Sequence, residues 1–426
     1  MDIQNTKNKY SFICKIFFSE KLTTLFLKSS IKSIAKSVVC FAILLYNLPL
    51  TAQQAKFIES EILLGGIVPN YPNYPKTGLS KGFSISIGKT NFSNSHWANY
   101  YNKPSYGISF SYIESGNTVE LGKEYGSTLF LDLSPNINSK QLWFFRTSIG
   151  TTYFSRYYEK RTNERNKIIG SHWNWRFKAF LFRDLIVQKN FSLRIGAGYI
   201  HSSNGHTQLP NFGMNAAMLS VSCRFYKDNP YLTPDNFNRS ESYVKAKRKH
   251  FFQNRIGLGF HEYGGTLKPV GGDKKGVYAI SFAYGLVFND QLKLRSGFTY
   301  RYYQHYFEEI QNNDSVKLSP STWSASNLYW LLGIEYVVGN FAIDIEGGIN
   351  LHKPFYKYHF KQHERDIPID KFLKSTFPMR LGLNLYLFKV ERKKSLNPYV
   401  GVSINANFGQ ADFSQLNVGL SKTIFR

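Results

Sequence analysis

A histidine and a serine two residues apart, His201 and Ser203, stand in residues 199–215, which read YIHSSNGHTQLPNFGMN. A serine hydroxyl is a weak nucleophile until a base takes its proton, and histidine has the ordinary pKa that suits this task near neutrality. Positions i and i+2 of a strand share a face, so the spacing aims both side chains the same way wherever this stretch is extended. Such a pair supports attack on an acyl carbonyl. Turn composition offers a plainer reading. His201, Ser203 and Asn204 would then simply end a strand, and the Ser, Asn and Gly residues would open a polar loop. His206, inside that loop, reads as exposed and receives no role.

The elements that must position the pair are strands. Past residue 60 no stretch has the eighteen or so continuous apolar residues that a membrane helix needs. Segments of about ten residues alternate strictly instead, separated by polar, Gly- and Asn-rich turns, as in a transmembrane antiparallel β-barrel. In residues 171–183, Trp173, Trp175, Phe177, Ala179 and Leu181 alternate with His172, Asn174, Arg176 and Lys178. In residues 341–351, Phe341, Ile343, Ile345, Ile349 and Leu351 stand opposite Asp344, Glu346 and Asn350; in residues 292–302, Lys293, Arg295 and Arg301 lie between apolar neighbours. Asp344 and Glu346 read as lumen-facing groups, solvated or paired with Arg or Lys. A soluble sandwich also alternates. Trp and Tyr gathered at segment ends and the closing Thr423-Ile424-Phe425-Arg426 favour the barrel.

The same parity orients the site. From Phe191 the less polar odd positions run Leu193, Ile195, Ala197, Tyr199 to His201, and on the next segment Asn215 leads Ala217, Leu219, Val221 and Cys223. His201, Ser203 and Asn215 therefore extend a lipid-facing stripe, where polar groups are costly unless they serve a substrate in the membrane. That substrate would approach sideways from the bilayer.

Residues 1–36 carry seven Lys against Asp2 and Glu20, and residues 37–50 (SVVCFAILLYNLPL) are apolar and end before Thr51-Ala52-Gln53. This reads as the n-region, h-region and cleavage site of a secretory signal, expected over residues 1–52. Its removal lowers the net charge from +25 to about +20, a balance suited to phosphate-bearing lipid headgroups, while export excludes nucleic acid as a partner. Cys14 and Cys40 would leave with the signal, so the mature chain, with Cys223 alone, can form no intrachain disulfide.

Residues 226–250 break the alternation with Pro230, Pro234 and a basic run, which divides the chain into residues 53–226, a linker or long loop over 227–250, and residues 251–426. About eight strands are expected on each side, permitting two tandem barrels or one larger barrel. Laying residues 192–225 over 397–425 puts Asn405 and Asn407 opposite His201 and Ser203. On that overlay the second half is non-catalytic.

The site stretch resembles the outer-membrane lipid A 3-O-deacylases, the PagL family, with which acyloxyacyl hydrolases are grouped. His201, Ser203 and Asn204 match the family's His-x-Ser-Asn strand end, and Pro210, Asn211 and Gly213 match its Pro-Asn-x-Gly turn with the spacing intact. The resemblance covers the first half, roughly residues 57–226. It implies His201 as general base, Ser203 as nucleophile, and the backbone N–H groups of Asn204 and Gly205 as oxyanion donors. The family places a Glu two residues after the turn Gly to orient the His; this chain has Asn215 there. An Asn still accepts a hydrogen bond from imidazole and fixes its tautomer, although it stabilises the imidazolium less. The resemblance implies an esterase of the bacterial outer membrane acting on lipid A (lipopolysaccharide) or a related glycolipid, without a cofactor. The alternative is a non-enzymatic barrel: a channel, a scaffold or a glycolipid-binding protein.

Overall fold

The computed structural model describes residues 54–424 other than 94, 135–142, 228, 230–231, 233–247, 267, 365–366 and 391–393. The expected signal (1–52), most of the expected linker (227–250) and Phe425-Arg426 lie outside the described residues.

Two closed antiparallel barrels of eight strands each follow one another. The first comprises β1 (Gln54–Ile67), β2 (Ser80–Asn91), β3 (Ser105–Glu114), β4 (Lys123–Leu133), β5 (Trp143–Phe154), β6 (Trp173–Val187), β7 (Phe191–Ser203) and β8 (Met214–Tyr226). A short helix, α1 (His96–Tyr100), joins β2 to β3. The second comprises β9 (Lys249–Gly264), β10 (Pro269–Phe288), β11 (Leu292–Tyr303), β12 (Ser326–Val338), β13 (Phe341–His352), β14 (Pro378–Tyr386), β15 (Leu396–Asn407) and β16 (Gln410–Ile424). Three more helices lie in its connections: α2 (Gln304–Asn312), α3 (Tyr356–His363) and α4 (Pro368–Thr376). Closure rests on first-to-last pairing, Phe57↔Tyr226 through Ile67↔Ala216 in one barrel and Phe260↔Ser414 through His250↔Ile424 in the other.

The burial pattern is inside-out relative to a soluble protein. On β6 the odd residues Trp173 and Leu181 are exposed on the outer wall, while Asn174, Arg176 and Lys178 are buried in the lumen. On β13, Phe341, Ile345, Ile349 and Leu351 face outward, and Asp344 and Glu346 are buried. A sandwich would bury its apolar face against a second sheet; a barrel in lipid exposes it.

Eight strands enclose just enough space for side chains to fill. Here networks of opposite charges fill it together with buried rings such as Phe130 and Phe144. In the first lumen Glu59 and Asp132 meet Arg146 (2.8 and 2.5 Å) and Arg224 (2.7 and 2.5 Å). Arg194 lies 2.8 Å from Asp184. In the second, Asp344 pairs with Arg295 and Arg380, and Glu346 with Arg255 at 3.0 Å. The carboxylates expected to be solvated or ion-paired are ion-paired.

The overlay of the two halves needs correction. Asn405 points into the second lumen, where its Oδ1 accepts from Arg301 Nη2 at 2.8 Å and its Nδ2 donates to Gln415 Oε1 at 2.8 Å. Asn407 is likewise buried, and its Oδ1 accepts from Lys353 Nζ. His201 and Ser203 stand on the outer wall of their own barrel, so the overlay is out of step with the pleat. A shift of one residue exchanges the two faces of a strand. The neighbouring outward positions on β15 are Ile404 and Ala406.

Candidate active site

β7 and β8 build the site at one end of the first barrel. Their register pairs His201 with Asn215 and Tyr199 with Ala217, so one outer-wall row carries the polar residues and the next begins the lipid-facing stripe. The imidazole Nδ1–H donates to Asn215 Oδ1 at 2.7 Å. That bond fixes the tautomer and leaves Nε2 as the basic nitrogen. Phe177, opposite His201 on β6, stacks on the ring with centroids 6.4 Å apart.

Ser203 is 4% exposed and lines the same cavity as His201. No hydrogen bond joins its Oγ to the imidazole among the described residues; the imidazole bonds Asn215 instead. Gly213 shows how closely the two lie. A Cβ added there would come within 2.8 Å of His201 Cε1 and 3.2 Å of Ser203 Cβ, and the backbone sits at φ +74. Only glycine satisfies both conditions without strain. Gly213→Ala is expected to cost about 1–2 kcal/mol through its backbone. By displacing His201 it should lower kcat about 10²-fold. Thermal unfolding beside ester-hydrolysis kinetics checks this; unchanged kcat would mean that the turn does not shape the pair.

The two residues expected to supply oxyanion donors differ from each other. The Asn204 N–H already donates to Asn211 Oδ1 at 3.2 Å, so it is engaged within the loop. Gly205 adopts φ +66, with Ser414 of the second barrel only 2.3 Å from where a Cβ would be. Sequence reasoning gave Asn211 no role beyond its place in the turn motif. It is 7% exposed and lines the cavity, and its Nδ2 has no hydrogen-bond partner among the described residues. An amide held beside the residue that follows Ser203, with a donor to spare, is suited to an oxyanion.

The site does not face open bilayer along its whole length, because the second barrel meets the 204–213 loop. Trp175 Nε1 on β6 donates to Ser414 Oγ at 3.1 Å, the Leu209 N–H donates to Glu262 Oε2 at 2.8 Å, and the Glu262 N–H donates to His206 O at 3.2 Å. His206, expected to be exposed, is 6% exposed and packs near His261, their ring centroids 6.3 Å apart. Burial pulls its pKa below the usual histidine range. The lipid-facing stripe persists below the site, with Tyr199, Ile195 and Leu219 exposed and the small Ala197 and Ala217 between them.

Closed barrels with apolar outer walls and ion-paired interiors define an integral outer-membrane β-barrel protein. Residues 82–224, most of the first barrel, match the family model of the lipid A 3-O-deacylase PagL. The match falls on the half that carries the His-x-Ser-Asn and Pro-Asn-x-Gly elements. No curated protein matches the chain. Among solved structures, the outer-membrane enzyme PagL aligns at 14% identity over 38% of this chain and 97% of its own, with a TM-score of 0.27. Outer membrane phospholipase A from Escherichia coli aligns at 10% identity over 87% of this chain and 96% of its own, with a TM-score of 0.16. OccAB1 from Acinetobacter baumannii aligns at 7% over 87% and 96%, with a TM-score of 0.19. The barrel architecture and the family match place the chain in the bacterial outer membrane.

Proposed function

We propose that this chain is an outer-membrane esterase that removes an ester-linked acyl chain from lipid A or a related glycolipid. The observation that carries the reading is the His201–Asn215 hydrogen bond of 2.7 Å on the outer wall, with Ser203 lining the same cavity and an apolar stripe beneath. An acyl chain lying along Tyr199, Ala217 and Leu219 would bring its carbonyl to Ser203. Ser203 Oγ attacks that carbon as His201 Nε2 takes the hydroxyl proton. The C–O bond to the sugar then breaks, and the proton passes from His201 to the departing sugar oxygen. Water, deprotonated by the same imidazole, hydrolyses the acyl-serine. Asn211 Nδ2 and the Gly205 N–H serve the oxyanion, replacing the engaged Asn204 N–H. Asn215 acts through His201 and is a positioning residue. No step requires a metal or an organic cofactor.

In this reading the first barrel cuts and the second does not, since its outer wall at Ile404 and Ala406 offers no base or nucleophile. The surplus Lys and Arg of the chain favour a substrate bearing phosphates at the membrane surface. Against the channel alternative stand lumens crossed by buried ion pairs.

Purified, folded protein incubated with lipopolysaccharide is expected to release lipid A lighter by one hydroxyacyl group by mass spectrometry. A folded preparation that leaves every acyl chain in place would overturn the assignment.

A further inference from the structure

The cavity above His201 and Ser203 measures about 370 Å³, and both barrels line it. That size falls within the range of small-ligand sites, about 300–1,000 Å³. From the first barrel come Asn211 and the rings of Tyr71 and Phe212, stacked at 4.7 Å. From the second come Glu364, Asp370, Lys374 and Gln410. Three elements carry these last four. The β15–β16 turn has φ +43 at Phe408 and φ +81 at Gly409, the left-handed pair of a tight hairpin, and it sets Gln410 at the cavity edge. Glu364, at the C-terminus of α3, and Asp370 and Lys374 of α4 are the others.

The chemistry of this wall selects among the parts of a glycolipid. Gln410 Nε2 donates to Glu364 Oε1 at 2.7 Å, whereas Gln410 Oε1 has no partner among the described residues. Lys374 Nζ lies 3.5 Å from Glu364 Oε2, so this cation is already neutralised, and Asp370 adds a further negative charge. A phosphate would meet more carboxylate than free cation here. An acyl chain would leave the apolar stripe for a polar wall. A sugar brings hydroxyl donors to carboxylate and amide oxygens and an apolar face to aromatic rings.

We propose that the second barrel forms the saccharide-binding wall of the catalytic cavity, with Asp370, Glu364 and Gln410 taking hydroxyls of the sugar whose ester is cut. This rests on the esterase reading for the identity of the reaction, but the binding wall is measurable without it.

The test uses the full chain with Gln410→Ala and Asp370→Ala, singly and together, each shown to be folded by heat-modifiable electrophoresis. The substrates are lipid A, dephosphorylated lipid A and p-nitrophenyl decanoate, which has no sugar. Each variant is expected to lose kcat/KM on both lipid A forms about tenfold more than on the nitrophenyl ester, the effect of one lost hydrogen bond to a charged or buried partner. Equal losses on all three, or none on lipid A, would overturn the proposal; losses confined to the phosphorylated form would assign the wall to phosphate instead. Binding of dephosphorylated lipid A to the Ser203→Ala chain separates the two readings. Weaker binding on adding Gln410→Ala supports the wall even where the wild-type chain cuts no ester, and unchanged binding rejects the wall even where it does.

Discussion

Ser203→Ala is expected to lower kcat on lipid A by about 10⁴-fold or more while leaving the barrel as stable as before. The loss is large because, in the proposed reaction, the whole covalent path runs through one oxygen. Without Oγ, the base His201 has no nucleophile to deprotonate, and the residual rate is whatever the oxyanion donors and substrate positioning give to attack by water. The stability of the variant follows from the surroundings of Ser203. Its Oγ has no hydrogen-bond partner among the described residues, and the change removes a single atom from a cavity wall. Removing a buried hydroxyl that has no partner is expected to change stability by less than about 1 kcal/mol. Mass spectrometry of lipid A after incubation with wild-type and variant proteins gives the kinetic readout, and urea unfolding gives the control. A variant that still removes the hydroxyacyl group at a comparable rate would exclude Ser203 as the nucleophile. The first barrel would then need another nucleophile, or the activity would need another protein.

Asp132→Ala is expected to destabilise the first barrel by about 3–5 kcal/mol, the cost of removing one member of a buried ion network. Asp132 accepts from Arg146 Nε at 2.5 Å and Nη2 at 2.9 Å, and from Arg224 Nη2 at 2.5 Å. Arg194 Nη1 lies 3.5 Å away. Removing this carboxylate leaves three guanidinium groups sharing Glu59 and Asp184, in a lumen where Arg194 and Arg224 are 0% exposed. Guanidinium does not give up its proton in proteins, so the charge cannot be relieved by neutralisation. Chemical unfolding in detergent, followed by the electrophoretic shift of the folded barrel, reads the effect. Asp344→Ala supplies the parallel case in the second barrel, where Asp344 meets Arg295 and Arg380. A loss below about 1 kcal/mol would mean that water enters the lumen and screens the arginines, and the filled-interior account would fail with it.

Much of the site was legible in the chain because strand geometry is local. A period of two residues tells which side of a strand each residue occupies, and it placed His201, Ser203 and Asn215 on the outer wall before any pairing was known. The short motif gave their order. What it could not give was the state of each donor: whether the Asn204 N–H is free or engaged depends on where the 204–213 loop folds back, and there Asn211 takes it. The same limit hid the fate of His206, which a loop composition reads as exposed and a second barrel buries.

By itself, then, the sequence determined the strand-built class, the lumen and lipid faces, and the spacing of the reactive residues, since each follows from side chains within a few positions of one another. Only the tertiary structure decided that sixteen strands close as two rings of eight, that Asn405 turns inward, and that the second barrel lines the cavity beside His201 and Ser203. Each of these depends on contacts between distant segments, such as the Phe57↔Tyr226 strand pairing or the Trp175–Ser414 hydrogen bond. Alternation is the same for a ring of eight and a ring of sixteen. The partner each edge strand finds is chosen by long-range pairing energies that no local pattern records.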